Sequence, residues 1–324
     1  MPNINLYSKR YIFFILSIAI MLTGVITYFA KGFVFDIQFQ GGTLIEMRAN
    51  KDTFNANNVQ QIQSEVAELV EKNIGKSAYV QKSTTYDVNN KSDFDVIKIS
   101  IGSSETLSST EIKKVEDAVV KELKLTAKEP VISEESVEPF IGKEISQNGV
   151  KAVIIAAILI IFYIWWRFKV VSGLSLGVFG VVGLLHDIGT MITVYLVFRI
   201  PVNDSFIAAM LTIFGYSMND TIVIYDRIRE NTRLMKKVPF PELVNTSIIQ
   251  TLNRSINTTV TVLMAVITIF VFGKINAIES ITEFSFPLII GLVSGTYSTI
   301  FITTPLWVMW KESQKKSKAK PVKA

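Results

Sequence analysis

The sequence YIFFILSIAIMLTGVITYFA, from Tyr11 to Ala30, contains no charged side chain. A helix of about 20 apolar residues is long enough to cross the ~30 Å hydrocarbon core of a bilayer. Further uncharged runs follow along the chain, at 152–166, 170–186, 205–219, 255–273 and 284–310. Two of these runs are followed by a single acid, Asp187 or Asp220, and the apolar sequence then resumes. The sequence therefore predicts a polytopic α-helical membrane protein with six transmembrane helices.

The composition agrees with that class. Hydrophobic residues make up 49% of the 324 residues, and the mean hydropathy is +0.37. There is no cysteine, so no disulfide framework can hold the chain together. An ordinary soluble enzyme, a disordered chain and a disulfide scaffold are excluded.

Charge is distributed unevenly along the chain. Residues 31–148 carry 14 Lys/Arg and 19 Asp/Glu, whereas the rest of the chain carries 19 and 9. Outside that segment most basic residues form four groups, which share one side of the membrane if six helices alternate in direction: Lys9–Arg10, Arg167–Lys169, Arg227–Arg254 and Lys311–Lys323. The short loops on the opposite side offer only Arg199 and Lys274, with Lys151 at a helix edge. The positive-inside rule then predicts that both termini are cytoplasmic and that residues 31–148 form a large extracytoplasmic first loop.

The first helix has two competing interpretations. The first helix could also be a signal peptide, because Lys9 and Arg10 precede it. Its apolar run is longer than a usual signal core and no small-x-small cleavage site follows, so we expect an uncleaved anchor.

The predicted boundaries divide the chain into four parts. These are a cytoplasmic N-terminus with helix 1 (1–32), an extracytoplasmic domain with linkers (33–148), helices 2–6 (149–310) and a basic cytoplasmic tail near lipid headgroups (311–324).

The first loop has the pattern of a small α+β domain. Apolar spacing predicts strands near 43–48, 78–86, 95–101 and 130–137, and helices near 57–72 and 110–123. Residues Asn89–Ser92 form a turn-rich link between the second and third strands, and Ser108 with Glu111 has the spacing of a capping box. The order β-α-β-β-α-β is the ferredoxin-like arrangement. The loop contains no His or Cys, which favours a binding or lever module over an enzyme.

Ionisable groups at bilayer depth are costly, so each suggests a function. Asp220 lies roughly 20 Å along the fourth helix if the hydrocarbon begins near Phe206. The apolar surroundings favour its neutral form and a nearby cation its charged form, so it could load and release protons. Tyr216 and Ser217 could hydrogen-bond to it or line a wet path. The alternative is that Asp220 is a satisfied interhelical hydrogen-bond partner that never titrates.

Three other polar residues leave alternatives open. His186, the one histidine, precedes Asp187, and the two could form a proton relay or a packed polar pair. Arg254, at the start of the fifth helix, could snorkel to the interface or face the bundle and hold Asp220 ionised. One histidine and scattered acids do not make a metal site, and we expect none.

Small residues and prolines predict how the helices pack. Gly291 and Gly295 form a GxxxG pair in the sixth helix, and Gly173 and Gly177 form another in the third. Such pairs allow close approach between helix backbones. Prolines 287 and 305 could kink the sixth helix.

Several motifs together resemble the SecF family of protein-export membrane subunits. The most specific is the string GYSMNDT at 215–221, followed by DRIREN at 226–231. Supporting matches are DIQFQGGT at 36–43, with Gln38 as an extra residue, His186–Asp187, Arg254–Thr259 and GLVSGTYS at 291–298. The resemblance covers nearly the whole chain.

The resemblance implies a mechanism and a set of residues. The family is similar to half of a resistance–nodulation–division transporter and is understood to use the proton-motive force to help export preproteins. The implied proton pathway comprises Asp220, Arg254, Asn219, Tyr216, Ser217, Thr221, His186 and Asp187. The implied motif and structural residues are Asp36, Gly41, Gly42, Gly215, Asp226, Arg227, Arg229, Glu230, Gly291, Gly295, Tyr297 and Ser298.

The resemblance also implies partners and a location. These are the bacterial cytoplasmic membrane, a SecD subunit, the SecYEG translocon, YajC-type and YidC-type accessory proteins, the translocating preprotein and membrane lipids, without nucleic acid. The coupling ion is a proton or a sodium ion, and no other cofactor is expected.

Two alternatives compete with this reading. The chain could be half of a proton-driven exporter of lipids or small molecules, which would need an apolar cleft in the external domain. It could also be an intramembrane aspartyl protease that uses Asp187 and Asp220, but neither acid lies in a Gly-x-Gly-Asp context.

Overall fold

The computed structural model describes residues 5–50, 53–55, 57–87, 92–102, 106–127, 130–168 and 173–318. Most of the turn predicted at Asn89–Ser92, the basic residue Lys169 and the end of the basic tail lie outside these residues. The elements follow the chain in this order: α1 (Arg10–Lys31), α2 (Ile37–Gln40), β1 (Gly42–Arg48), α3 (Val59–Ile74), β2 (Ala78–Asp87), β3 (Ser92–Gly102), α4 (Ser109–Leu123), β4 (Val131–Val137), α5 (Pro139–Arg167), α6 (Gly173–Phe198), α7 (Asp204–Leu234), α8 (Phe240–Ile275), α9 (Glu279–Ser298), a π-helical segment (Thr299–Thr303) and α10 (Thr304–Lys318).

The prediction of six membrane-spanning segments is confirmed. Within the described residues, six helical segments are long and apolar enough to span a bilayer: α1, α5, α6, α7, α8 and the segment from Glu279 to Lys315. Their apolar side chains are largely exposed on α1, α5 and α8, and largely buried on α7 and in the last segment. The α7 and α9 helices therefore form the centre of the bundle.

The last spanning segment is not one regular α-helix. Thr299–Thr303 adopts a π-helical conformation between α9 and α10. Pro287 lies inside α9, and Pro305 is the second residue of α10. The break in regular α-helix thus precedes Pro305 instead of occurring at Pro287. Single π turns within helices often occur at functional sites.

The predicted glycine pairs lie where helices touch. A Cβ atom at Gly291 would lie 2.4 Å from Ile213 of α7, and one at Gly295 would lie 3.0 Å from Cβ of Ser217. A Cβ atom at Gly177 would lie 3.2 Å from the backbone of Ile161 in α5. These glycines let α9 pack against α7, and α6 against α5, at close range.

Residues 42–137 form an α+β domain with the predicted order β-α-β-β-α-β. Its four strands pair antiparallel in the order β2-β3-β1-β4. Apolar side chains on one face of the sheet, such as Ile45, Ile97 and Ile99, form a core with α3 and α4. The predicted capping box is confirmed, because Ser108 and Glu111 bond to each other's backbone at the start of α4.

A short linker joins α1 to this domain. Asp36 caps α2, since its carboxylate accepts a hydrogen bond from the backbone N–H of Gln38 at 3.0 Å. Burial raises the pKa of the Asp36 carboxyl, and the Gln38 bond opposes that shift in part. Gly41 has a φ of 77°, and a Cβ atom there would lie 2.4 Å from the backbone of Pro139. The linker therefore folds tightly against the start of α5.

Candidate functional site in the membrane helices

Asp220 lies at the junction of three helices. The α7 helix carries it, and the residue is 7% exposed. Its Oδ2 atom accepts hydrogen bonds from Thr259 of α8 at 3.4 Å and from Thr296 of α9 at 3.3 Å. The two threonine hydroxyls also lie 2.6 Å apart. One carboxylate oxygen and two hydroxyls thus hold α7, α8 and α9 together at the level of Asp220.

A small cavity adjoins Asp220. It is lined by residues of the same three helices: Tyr216, Ser217, Asn219, Asp220, Thr258, Thr259, Val262, Gly291, Leu292, Gly295 and Thr296. Its free space is enough for about one water molecule. Tyr216 is 43% exposed and Asn219 is exposed, so the cavity lies close to the outer surface of α7 and α8. The structure therefore brings together four predicted residues: Tyr216, Ser217, Asn219 and Asp220.

Asp187 occupies a separate, fully enclosed position in α6. The residue is 1% exposed, and its two carboxylate oxygens accept hydrogen bonds from Ser217 of α7 at 2.8 Å and from Ser294 of α9 at 2.7 Å. Asp187 does not line the cavity beside Asp220, but Ser217 contacts both environments. Both oxygens are satisfied, as the packed-pair interpretation requires.

His186 faces a different helix. Its Nε2 atom lies 3.0 Å from the Ser17 hydroxyl of α1, and its Nδ1 atom lies 3.5 Å from Oδ1 of Asp187. Ser17 in turn lies 3.2 Å from the Tyr297 hydroxyl, which donates to the backbone carbonyl of Phe13 at 2.7 Å. His186 and Tyr297 therefore tie α1 to α6 and α9.

The π-helical segment contacts α7 at Thr221, one helical turn after Ser217. Thr221 and Thr299 share a hydrogen bond at 2.8 Å, and the Thr299 hydroxyl also donates to the backbone carbonyl of Ser217 at 3.4 Å. Thr296, Ser294 and Thr299 were not predicted as site residues. The signal that could have found them is the run of hydroxyl residues at 294, 296, 298 and 299 in an apolar helix.

The sequence left two alternatives for Arg254: snorkelling to the interface, or facing the bundle and holding Asp220 ionised. The residue is exposed on α8, and among the described residues no hydrogen bond or ion pair joins it to Asp220. The α8 helix begins at Phe240, so Arg254 lies well inside this helix and not at its start. It lines a polar cavity between the C-terminal part of α7 and α8, and its exposure favours the snorkelling alternative.

The DRIREN motif at 226–231 links the C-terminal part of α7 to α5 and α8. Asp226 lies 3.4 Å from Arg167 of α5 and 2.8 Å from Arg229. Arg227 pairs with Glu230 at 2.5 Å and donates to Gln250 of α8 at 2.7 Å. These motif residues thus act in packing at the helix ends, away from Asp220.

The remaining motif residues are dispersed. Gly215 faces open space, since a Cβ atom there would meet nothing within 4 Å. Asp36 and Gly41 lie in the linker to the α+β domain, and Gly42 begins β1 of that domain. The Ser298 hydroxyl bonds to the carbonyl of Gly295 in its own helix.

The geometry also bears on the protease alternative. Such an enzyme needs two acids facing one water-filled cleft. Asp187 and Asp220 bond to different hydroxyls, and only Asp220 lines the cavity. The two acids therefore lack the shared cleft of an aspartyl protease.

The chain is similar to proteins of known identity. Residues 117–313 match the family model described as protein export membrane protein SecD/SecF, C-terminal. The protein translocase subunit SecF of Alicyclobacillus acidocaldarius is 35% identical over 100% of this chain and 98% of its own length. The SecF subunit of Anaerolinea thermophila is 33% identical over 96% of this chain and 95% of its own length.

Longer proteins and a solved structure match as well. The protein translocase subunit SecDF of Bacillus subtilis is 34% identical over 94% of this chain, which spans 38% of the SecDF length. The crystal structure of SecDF from Thermus thermophilus, a translocon-associated membrane protein, has a TM-score of 0.75 and 29% identity. That match covers 96% of this chain and 39% of the SecDF chain.

Proposed function

The chain belongs to the SecD/SecF family of protein export membrane proteins, and we propose on that premise that it works with SecD and uses the proton-motive force to promote late steps of preprotein export. It is an accessory subunit of the protein translocase. Its relatives include chains named SecDF, in which the region similar to this chain covers 38% of the length. This family membership favours export of proteins over the alternative of a lipid or small-molecule exporter.

One observation carries the mechanism: a buried carboxylate joins three membrane helices. Asp220 of α7 accepts hydrogen bonds from Thr259 of α8 and Thr296 of α9. Protonation removes the charge that attracts both hydroxyls, so it weakens the contacts between these helices. A charge change at such a junction can shift packed helices between two arrangements.

The energy available per ion is modest. A charge that crosses the membrane potential releases about 2.3 kcal/mol per 100 mV. This is comparable to the strength of a few interhelical hydrogen bonds, each about 1–2 kcal/mol at most. One proton can therefore rearrange the Asp220 junction, but a long preprotein requires repeated cycles. Protons are our proposed coupling ion, with sodium as the alternative.

We place the α+β domain on the extracytoplasmic side and regard it as ferredoxin-like. The strand order β2-β3-β1-β4 and the element order support that comparison. The linker contacts the loop after α6 through Asp36 with Val202, and the domain contacts the start of α9 through Lys98 with Glu279. Arginines lie at the C-terminal ends of α5 and α7, and the start of each of these helices is the end nearer the domain. The positive-inside rule places the cytoplasm on the arginine side.

The outer surface of α7 and α8 is the proposed SecD interface. Asn219 and Asn257 are exposed there, at positions within the spanning segments, and Tyr216 is 43% exposed. Lipid chains cannot hydrogen-bond to amide groups, so such side chains face a protein partner or water. The same surface adjoins the Asp220 cavity, so SecD would close it. The SecYEG translocon, YajC-type and YidC-type proteins, the preprotein and lipids are further proposed partners.

Replacement of Asp220 by Asn tests the mechanism. The amide keeps the size of the side chain and can still accept from one threonine, but it cannot change charge. We expect Asp220→Asn to assemble normally and to lose the stimulation of export by a proton gradient. The measurement is preprotein export into membrane vesicles with proton and sodium gradients imposed separately.

The matched control is Asp204→Asn, because Asp204 is an exposed acid in the first turn of the same helix. That variant should respond to the proton gradient as the wild type does. Export by Asp220→Asn at the wild-type rate under a proton gradient would show that this carboxylate is not the coupling group.

A further inference from the structure

Lys98 lies at the centre of the sheet face that points toward the membrane helices. It belongs to β3, an inner strand, and pairs in register with Glu46 of β1 and Gln81 of β2. Its neighbours Ile97 and Ile99 are fully buried in the domain core. Because side chains alternate along a strand, Lys98 projects from the opposite face. Strands on both sides hold its backbone in place.

The ammonium group of Lys98 is shared between the domain and a membrane helix. It lies 2.9 Å from Oε1 of Glu46 and also forms an ion pair with Glu279, in the first turn of α9. The Lys98 side chain is only 15% exposed. Burial alone lowers the pKa of Lys98, but the hydrogen bonds and charges of Glu279 and Glu46 outweigh burial and raise it. The contact is therefore a partly buried, charged link.

The α9 helix connects this link to the acid within the membrane. It runs as a continuous α-helix from Glu279 to Ser298, and its Thr296 donates to Asp220. Thr296 lies 17 positions after Glu279, which at about 1.5 Å per residue is roughly 25 Å along the axis. Ser294, in the same helix, donates to Asp187. A displacement of α9 at Asp220 therefore has one continuous helix through which to reach Glu279.

We propose that Lys98 is a positioning residue of the transport cycle, which makes the external domain follow α9 through its ion pairs with Glu279 and Glu46. The inference rests on the proposed function, since α9 is displaced only if Asp220 changes charge. Removal of the Lys98 charge leaves Asp220 and its threonines in place but disconnects the domain from the helix that responds to them.

Charge variants of this link test the inference in the full subunit, assembled with SecD and the translocon. We expect Lys98→Met to reduce proton-stimulated export to the level of Asp220→Asn, while export without a gradient stays at the wild-type level. Lys98→Arg keeps the cation and should retain the stimulation. The exchange of charges in Lys98→Glu with Glu279→Lys keeps one cation between two acids and should restore it.

The control is Lys82→Met, which removes an ion pair with Asp95 that lies within the domain, at 2.9 Å. It should export as the wild type does. A merely structural role for Lys98 predicts that the charge exchange fails to restore stimulation, and that result overturns the inference. Wild-type stimulation in Lys98→Met overturns it as well. In either case an inactive Asp220→Asn variant leaves the proposed function standing, whereas an active one refutes the proposed function itself.

Discussion

Single hydroxyl groups make most of the specific contacts between the central membrane helices. Ser217, Ser294, Thr259 and Thr296 all donate to one of two buried carboxylates. In a bilayer, apolar side chains gain little by packing against each other instead of lipid, so polar contacts and close packing specify which helices meet. The two acids therefore have a positional role in addition to any charge change.

Asp187→Ala tests that positional role. The substitution leaves the Ser217 and Ser294 hydroxyls without their acceptor, and two interhelical bonds of this kind contribute about 1–3 kcal/mol together. We expect a lower melting temperature for the purified protein in detergent. Asp187→Asn should lose less, since the amide oxygen still accepts a bond. Thr268→Ala is the control, because exposed Thr268 bonds only to the carbonyl of Met264 in its own helix. Equal melting of Asp187→Ala and the wild type would contradict the role.

At the scale of helices, the contact between α7 and α9 depends on the absence of side chains. Gly291 and Gly295 lie one turn apart and face Ile213 and Ser217 of α7. This close approach brings Thr296 within reach of Asp220. Thr299, three residues after Thr296 and at the start of the π-helical segment, also contacts α7 through Thr221. Packing and hydrogen bonding thus depend on the same short stretch of α9.

Gly291→Leu tests the packing. A Cβ atom at this position would lie 2.4 Å from Ile213, so the larger side chain forces the helices apart. Overpacking of this kind costs about 1–3 kcal/mol. We expect the variant to melt at a lower temperature in detergent. Gly215→Leu, in a membrane helix with nothing within 4 Å of the new Cβ atom, should melt as the wild type does. Leu favours the helix more than Gly does, so a similar loss in both variants would show that the added side chain itself, and not the α7–α9 contact, controls the effect.

At the scale of the whole molecule, the two membrane acids differ in how completely other helices enclose them. The packing around Asp187 is enclosed by α1, α6, α7 and α9. The packing around Asp220 ends at the exposed residues Tyr216 and Asn219. A polar cavity at the lipid-facing surface is unfavourable, which supports the proposed SecD interface at this surface.

Gly215→Leu also tests this interface. The new side chain fills open space on the proposed SecD-facing surface, so it should leave the subunit stable and weaken its association with SecD. The measurement is co-purification of SecD with the tagged variant. Ile158→Trp, at a position 59% exposed on α5, changes a different apolar surface and should leave the association unchanged. Normal co-purification with Gly215→Leu would place SecD elsewhere.

The sequence by itself determined the six spanning segments, the order of elements in the α+β domain and the place of Asp220 within an apolar run. Each follows from local pattern: uncharged length, period-two or helical spacing, and the position of a charge within an apolar run. The capping box at Ser108 is equally local, and its predicted bonds are present.

Only the tertiary structure decided which polar groups meet. Thr259 and Thr296 reach Asp220 from helices that are 39 and 76 residues distant in sequence, and Lys98 meets Glu279 across the boundary between domain and membrane. Of the two alternatives for Arg254, the structure favours the exposed one, because Arg254 lies exposed on α8 beside a polar cavity. Sequence spacing fixes the face of a helix on which a side chain lies. The partner of that side chain depends on how the helices rotate and approach each other. Glycine contacts and shared hydrogen bonds together determine that rotation and approach.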